Sequence, residues 1–211
     1  MKKLALGSVG LLAAGLLAGG LFGTEAAAAT PQNGWYVENG LYYWYENGVR
    51  QGYDPDNPDY RGKEIYDPAS GAWYWLDNVQ GGARAESKDV YQESSGGKWV
   101  RYDAQGRMVK GENYYDGGWY RFDEVTGAMI KGWYTTYSQN GQELTYYYDT
   151  VSGKMVYGQV EIDGVPCIFD KATGVGLNQV WYETDGVKYW YEGGKRQGTE
   201  GRGKEIYDPV S

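Results

Sequence analysis

The chain has 211 residues and an acidic composition, with 28 Asp and Glu against 20 Lys and Arg and a formal net charge of −8. An acidic chain repels phosphate backbones, so nucleic acid is a poor partner and we expect none. The chain contains no His, which excludes Ser-His-Asp triads, Cys-His pairs and His-bearing zinc sites, and its single Cys excludes an internal disulfide.

Residues 1–29 have the pattern of a secretory signal peptide. Lys2 and Lys3 precede an uncharged stretch, residues 4–22, that is rich in Leu, Ala and Gly, and alanines occupy positions 26–29. A basic start, an apolar centre and small residues at the end are the signature of an export signal. An uncleaved membrane anchor is the alternative, because the apolar stretch is long. We therefore expect a secreted protein that contacts the membrane only during export.

The rest of the chain repeats one phrase. Each copy has an aromatic-rich stretch, then an acidic residue and, a few residues later, a Gly. The residue before the acid is Tyr45, Leu76, Tyr102, Phe122, Tyr148, Phe169 or Tyr191. Aromatic residues favour a half-buried strand, and Asp followed by Gly favours a turn. From Leu76 onward, these positions are separated by 20 to 26 residues, and this regular spacing predicts a repeat architecture.

The repeats predict a fold made of stacked hairpins. The segments 106–111, 127–132 and 153–158 follow the turns and are expected to be short return strands, so that each copy is a strand, a turn and a strand. A single hairpin is marginally stable in water, so neighbours must stack to share a core. The predicted fold class is all-β: an elongated, solenoid-like array of stacked short β-hairpins after the signal peptide.

We divide the chain into four regions. Residues 1–29 are the signal peptide, and residues 30–97 are aromatic repeats with inserted loops. The most regular repeats occupy residues 98–178, and residues 179–211 are a second, truncated copy of the N-terminal repeat. The segment RGKEIYDP occurs at 61–68 and again at 202–209, but only the first copy continues into an aromatic strand. We therefore expect a fragment of a larger protein, whose catalytic or effector domain lies elsewhere.

The segment GGWYRFDEVTGAMIKGW, residues 117–133, resembles the cell-wall-binding repeats of Gram-positive bacteria. These are the choline-binding and glucan-binding repeats of surface proteins and wall hydrolases, with the pattern Gly-x-Trp-Tyr-Tyr/Phe, an Asp or Asn turn, Gly-x-Met and Gly-Trp. Residues 98–174 match the pattern best, and a looser match spans residues 34–211. The resemblance implies a non-catalytic module, without cofactor or metal, that attaches a secreted protein to the cell wall.

The resemblance also implies a ligand site, because rings of adjacent hairpins in choline-binding members surround a quaternary ammonium. Carried over to this chain, it selects Trp119, Met129 and Trp133, closed by Tyr146 or Tyr148. The neighbouring units do not repeat this set, since Glu112 and Gln159 stand at the position of Trp133. The expected partner is therefore a cell-wall polysaccharide or a teichoic-acid-type polymer, with choline as one candidate.

Alternation along the strands divides the rings into two groups. Tyr120 and Phe122 share one strand face and are expected in the core, whereas Trp119 points to the other face, and Trp119 and Trp133 are expected to meet ligand. Two alternatives to a glycan-binding anchor stay open. One is the choline-binding anchor region of a wall hydrolase whose catalytic domain is missing, and the other is a stalk or adhesin spacer that binds nothing.

Other polar groups have simpler explanations. Five units carry an Asp at the same turn position: Asp77, Asp103, Asp123, Asp149 and Asp170. Carboxylate pairs can hydrolyse glycosides, but an Asp that recurs at every turn is expected to have a structural role. We therefore expect that the chain is not an enzyme. Cys167 aligns with strand residues and is expected to be a small buried thiol. The segment DPDNPD, residues 54–59, offers oxygen ligands for Ca²⁺ but lacks the Gly and distal Glu of an EF-hand, so we expect a solvated loop.

Overall fold

The computed structural model describes residues 31–93, 96–201 and 203–207. The predicted signal peptide, residues 1–29, lies outside the described residues. The strands are β1 Gly34–Glu38, β2 Leu41–Glu46, β3 Val49–Arg50, β4 Gly62–Asp67, β5 Ala72–Asp77, β6 Ala83–Arg84, β7 Lys88–Gln92, β8 Lys98–Tyr102, β9 Gly111–Tyr115, β10 Gly118–Phe122, β11 Gly132–Tyr137, β12 Glu143–Tyr148, β13 Gly158–Ile162, β14 Val165–Phe169, β15 Val180–Thr184, β16 Val187–Glu192 and β17 Lys195–Arg196. A 3-10 turn spans Asn78–Gln80, and the described part contains no helix long and apolar enough to cross a membrane.

Consecutive strands of five or six residues form seven antiparallel hairpins in the described part of the chain, and the two-residue strand β3 pairs with β2. The seven hairpins are β1–β2, β4–β5, β7–β8, β9–β10, β11–β12, β13–β14 and β15–β16. Two of the short strands join neighbouring hairpins, because β6 pairs with both β2 and β5, and β17 pairs with both β14 and β16. The all-β class and the stacking of short hairpins are confirmed.

The pairs of strands that form the hairpins differ from the prediction. The aromatic strand is the second strand of its hairpin, and its partner precedes it, as β9 precedes β10. Asp116 and Gly117 form the turn between them with φ values of 46° and 70°. Two consecutive positive φ values are typical of a type I′ turn, whose twist matches that of the flanking strands. The expected return strands are not full strands: the segment between β10 and β11 returns beside β10 through one isolated bridge, Phe122 with Met129, and through flanking backbone hydrogen bonds.

These linking segments connect each hairpin to the preceding one through backbone hydrogen bonds. The backbone N–H of Met129 donates to the carbonyl of Trp99 in β8, and the next N–H, of Ile130, donates to Arg121 in β10. Met108 and Met155 repeat this arrangement, with their N–H groups on the carbonyls of Trp73 and Trp119. Each linking segment therefore bonds to its own hairpin and to its predecessor, which is how the array propagates.

The residue that precedes the repeated acid in each unit, called the anchor below, belongs to the core. Each is between 0 and 8% exposed: Tyr45, Leu76, Tyr102, Phe122, Tyr148, Phe169 and Tyr191. The predicted core position of Phe122 is confirmed, and the other six residues share its position near the end of a second strand. Tyr120, two residues before Phe122, is also buried, as expected for one strand face. Small clusters along the array share the core, as in other repeat proteins.

The acid that follows each anchor has the structural role that the sequence predicts. The Oδ1 atom of Asp123 accepts the backbone N–H groups of Val125 and Thr126, and Gly127 closes the turn with a φ of 68°. The turns at Asp149 and Asp170 are built in the same way, whereas the Oδ1 atom of Asp103 accepts the backbone N–H groups of Gln105 and Arg107 in a shorter turn closed by Gly106. These hydrogen bonds stabilise the charged carboxylate, and they lower the pKa of Asp123, Asp149 and Asp170 below the ordinary range.

The two copies of the duplicated segment differ in structure. In the first copy, Gly62–Asp67 is strand β4 and pairs with β5. In the second copy, Gly203–Tyr207 contains no strand. One contact is common to both copies, the Lys ammonium on a Glu and a Gln: Lys63 on Glu46 and Gln51, and Lys204 on Glu192 and Gln197.

Candidate ligand-binding face

Three consecutive hairpins present the same exposed ring pair. Each pair joins a Tyr of the first strand to the Trp directly opposite it in the second: Tyr66 with Trp73, Tyr91 with Trp99, and Tyr114 with Trp119. The ring centroids are 5.2, 5.3 and 5.4 Å apart, and the six side chains are between 39 and 59% exposed. The strands place these rings on the face opposite the buried anchors, because side chains alternate across a strand. Large aromatic residues repeated on one exposed face indicate a binding surface.

A methionine from the following unit lies beside each pair. The N–H groups of Met108, Met129 and Met155 donate to the carbonyls of Trp73, Trp99 and Trp119, each at 2.8 Å. The thioether of each Met packs in turn over a Gly of the next turn. A Cβ atom built on Gly153 would lie 2.5 Å from the sulfur of Met129, and Gly127 and Gly174 have the same relation to Met108 and Met155. The glycines are therefore required both by their positive φ values and by this packing.

The next two hairpins lack the exposed ring pair. At the equivalent register, β11–β12 has Thr135 opposite Thr145, with their hydroxyl oxygens 3.4 Å apart. In β13–β14 the same register holds Glu161 opposite Pro166. The position of the bridging Met is also changed there, since Gly176 bonds to the carbonyl of Thr145. The three exposed pairs, at Trp73, Trp99 and Trp119, are called the ring row below, and the row ends at Trp119.

Trp133 lies inside the array and not in the ring row. It is half-buried, and its ring centroid lies 5.0 Å from that of Tyr147 and 5.8 Å from that of Phe169. The ammonium nitrogen of Lys195 lies over the same ring, 4.1 Å from its centroid. An ammonium at this distance from an indole makes a cation–π interaction. One face of Trp133 is thus already in contact with a cation of the protein.

The five residues predicted as one site are not brought together. Met129 lies beside Trp99, one unit before Trp119, because the linking segment crosses back to the preceding hairpin. Tyr148 is fully buried, so its ring belongs to the core and cannot close a ligand box. Tyr146 is half-buried, with its ring 6.5 Å from that of Tyr134. Of the predicted five, Trp119 has the exposed position that a ligand contact requires.

An acidic residue accompanies each exposed pair on its own strand. Glu64, Asp89 and Glu112 lie two residues before the Tyr of the pair, and in the following hairpin this register position is held by Trp133. Asp89 accepts from the guanidinium of Arg101 at 2.9 Å, and Glu112 accepts from Arg121 at 3.1 Å. The exposed rings therefore stand beside carboxylates, a setting that suits cations or hydroxyl donors.

The other polar groups are occupied by local structure. Within residues 54–59, Asp54 and Asn57 accept backbone N–H groups of their own loop. The described part of the chain holds no cluster of three or more metal-ligating side chains. Cys167 is 1% exposed, and burial raises the pKa of its thiol. The buried position predicted for Cys167 is confirmed.

Residues 92–134 match the family model described as a choline-binding repeat, which confirms the resemblance to cell-wall-binding repeats within that segment. The chain is similar in structure to choline binding protein F from Streptococcus pneumoniae, with 23% identity and a TM-score of 0.57, over 84% of this chain and 56% of the other. It is also similar to CbpJ from Streptococcus pneumoniae TIGR4, with 21% identity and a TM-score of 0.56, over the same shares. The chain thus spans little more than half the length of these proteins, and the similarity shows the fold. No curated protein sequence matches the chain.

Proposed function

We propose that this chain is a non-catalytic module that binds a polymer of the bacterial cell wall and attaches an exported surface protein to it. The observation that carries the proposal is the row of three equivalent ring pairs, each with a Met of the next unit beside it. Flat, exposed rings at a fixed repeat can contact successive units of a polymer, whereas a globular ligand would need a single pocket. The regions at residues 30–97, 98–178 and 179–211 remain predictions, and hairpin β7–β8 spans the first boundary.

The polymer can be contacted through sugar rings or through ammonium groups. Stacking of a sugar on an indole needs an exposed face, which Trp73, Trp99 and Trp119 provide. An ammonium group would use the same faces through cation–π attraction, worth about 0.5–2 kcal/mol per contact. The match of residues 92–134 to a choline-binding repeat, which includes Trp99 and Trp119, favours choline as a second candidate ligand.

The test is retention of the purified chain on isolated cell walls. We expect binding by the unchanged chain and its loss in the triple variant Trp73→Ala, Trp99→Ala, Trp119→Ala, since each ring contributes up to about tenfold in affinity. Tyr137→Ala is the matched control, because Tyr137 is 67% exposed but lies outside the row. Release by excess choline identifies ammonium recognition, and retention despite choline identifies glycan recognition. An unchanged chain that is not retained is a stalk and refutes the proposal.

The non-catalytic part of the proposal has its own measurement. We expect the purified chain to hydrolyse neither peptidoglycan nor α-glucan, because the turn carboxylates are bound to their own backbone and the chain lacks His. Turnover that disappears when Asp123 or Asp149 is changed to Asn would contradict this expectation.

A further inference from the structure

The three hairpins of the ring row differ at one register position. Opposite the acid of each first strand stands Trp75 for Glu64, Arg101 for Asp89 and Arg121 for Glu112. The two arginines form ion pairs with their acids. Trp75 is 6% exposed and offers no positive charge, so Glu64 lacks the cross-strand counter-ion that its two equivalents have.

Glu64 is held in place by neutral donors. Its Oε1 atom accepts from the hydroxyl of Tyr102 at 2.9 Å and from the side-chain amide of Gln92 at 2.6 Å. Tyr102 stays a hydroxyl donor, because burial and the adjacent charge of Glu64 raise its pKa. The second oxygen, Oε2, has no hydrogen bond or ion pair within the described residues. The carboxylate is therefore fixed in orientation and retains an unused acceptor.

A cleft of about 380 Å³ lies beside this carboxylate. Glu64 lines this cleft together with Trp73, which is 39% exposed, and with the apolar residues Met108, Val125 and Ala128. The cleft thus combines an aromatic face, apolar walls and one carboxylate.

Lys98 also lines the cleft and is the one cation among its lining residues. Its ammonium donates to the backbone carbonyl of Thr126 at 2.6 Å. Because its charge repels every monovalent cation to a similar extent, it does not discriminate between cations of equal size.

We propose that this cleft binds an organic ammonium ion that carries at least one N–H bond, with Glu64 as its counter-ion. The proposal rests on the proposed function in one respect, the assignment of Trp73 to the ligand-binding face. The ring of Trp73 attracts the positive charge of any ammonium. The Oε2 atom of Glu64 adds a charge-assisted hydrogen bond, which an N–H group can donate and a quaternary ammonium cannot.

The neighbouring units provide an internal comparison. At Trp99 and Trp119 the equivalent acids are already paired with arginine, so an N–H donor gains little over a quaternary ammonium there. The preference for an N–H donor should therefore be confined to the cleft beside Trp73.

The test uses protonated 2-(dimethylamino)ethanol and choline, which have the same charge and differ by one methyl group. Each is titrated into the full ¹⁵N-labelled chain at neutral pH, and the indole N–H resonances of Trp73 and Trp119 are followed, assigned by Trp73→Phe and Trp119→Phe. At Trp73 we expect about tenfold tighter binding of the N–H donor, the size of a net charge-assisted hydrogen bond. At Trp119 we expect no preference. Equal or tighter binding of choline at Trp73 overturns the proposal without any variant.

Glu64→Gln removes the charge and keeps the shape, so the preference at Trp73 should disappear. Glu112→Gln, at the equivalent register position, should leave the Trp73 response unchanged. A folded Glu64→Gln chain that keeps the preference also overturns the proposal. Failure here is distinct from failure of the proposed function: wall retention without a Trp73 preference refutes only the ammonium site, and a Trp73 preference without wall retention refutes only the wall-binding role.

Discussion

The three hairpins of the ring row and the two that follow share one scaffold and differ in what they display. Their second strands bury an aromatic or aliphatic anchor at the same position: Leu76, Tyr102 and Phe122 in the row, Tyr148 and Phe169 after it. On the opposite face, the row exposes Tyr and Trp, whereas the following hairpins place Thr opposite Thr and Glu opposite Pro. Because alternate residues of a strand face opposite sides, the core and the display face can change independently.

In the two hairpins after the ring row, Trp133 serves packing. In the row, the register position two residues before the exposed Tyr carries an acid, and in β11 it carries Trp133. Trp133 contacts Phe169 and the ammonium of Lys195. A position that supplies charge in one region thus supplies ring packing in the other.

The largest expected effect tests whether the anchors are equivalent in the two regions. Phe122→Ala and Phe169→Ala should each lower the free energy of unfolding by about 3–5 kcal/mol, because both rings are at most 1% exposed and their loss leaves a cavity. Denaturant titration measures both. Trp119→Ala is the control and should lower it by less than about 1 kcal/mol, since surface changes have small effects. A larger loss for Trp119→Ala than for Phe122→Ala would break the division between core and display face.

The next effect concerns Trp133. Trp133→Ala should lower the free energy of unfolding by about 2–3 kcal/mol, since a half-buried ring contributes roughly half the burial of a full core ring and the contact with Lys195 is also lost. Wall retention should be nearly unchanged at temperatures where the variant is folded. The opposite pattern, an unchanged melting temperature with weakened retention, would return Trp133 to the ligand-binding face.

The sequence predicted the core better than the site. The alternation of residues along a strand predicted that Tyr120 and Phe122 are buried, and the turn role of Asp123 followed from its chemistry. The hairpin pairing was mistaken because Asp123 and Gly127 were taken as the hairpin turn. A stronger signal stood at Asp116-Gly117 and Asn39-Gly40, two-residue turns that both have positive φ in the structure.

The same turn also bears on the candidate site. A turn at Asp116-Gly117 places Tyr114 directly opposite Trp119, which would have identified the exposed pair. The family resemblance grouped Met129 with Trp119, whereas in the structure the backbone N–H of Met129 bonds to the carbonyl of Trp99. The contact of Trp133 with Lys195 joins residues far apart in the sequence and has no local signal.

A third prediction addresses the contact that joins the two regions. Met129 belongs to the link after the ring row, and Gly153 belongs to the turn after β12. Gly153→Ala should lower the free energy of unfolding by about 1–2 kcal/mol, because Ala is strained at a φ of 77° and its Cβ would lie 2.5 Å from the sulfur of Met129. Gly117→Ala has a similar φ but open space around the Cβ, so it isolates the backbone strain, about 1 kcal/mol. If denaturant titration gives equal losses for Gly153→Ala and Gly117→Ala, the contact between Met129 and Gly153 does not contribute to the stability of the fold.

The smallest expected effect asks whether the turns are equivalent in both regions. Backbone and hydroxyl hydrogen bonds from Thr126 lower the pKa of Asp123 in the row, and those from Ser152 lower the pKa of Asp149 in the following hairpin. A lowered folded-state pKa means that the unfolded chain binds more protons in acid, so each carboxylate stabilises the fold fully above its unfolded pKa of about 3.9. That stabilisation is lost as the pH falls through the lowered folded-state value. The melting-temperature difference between the unchanged chain and Asp123→Asn or Asp149→Asn should therefore be largest near pH 7 and shrink toward zero well below pH 4. Because both turns have the same geometry, the two variants should follow the same curve, and a difference that persists in acid for one of them would show that its turn is held by something other than the charged carboxylate.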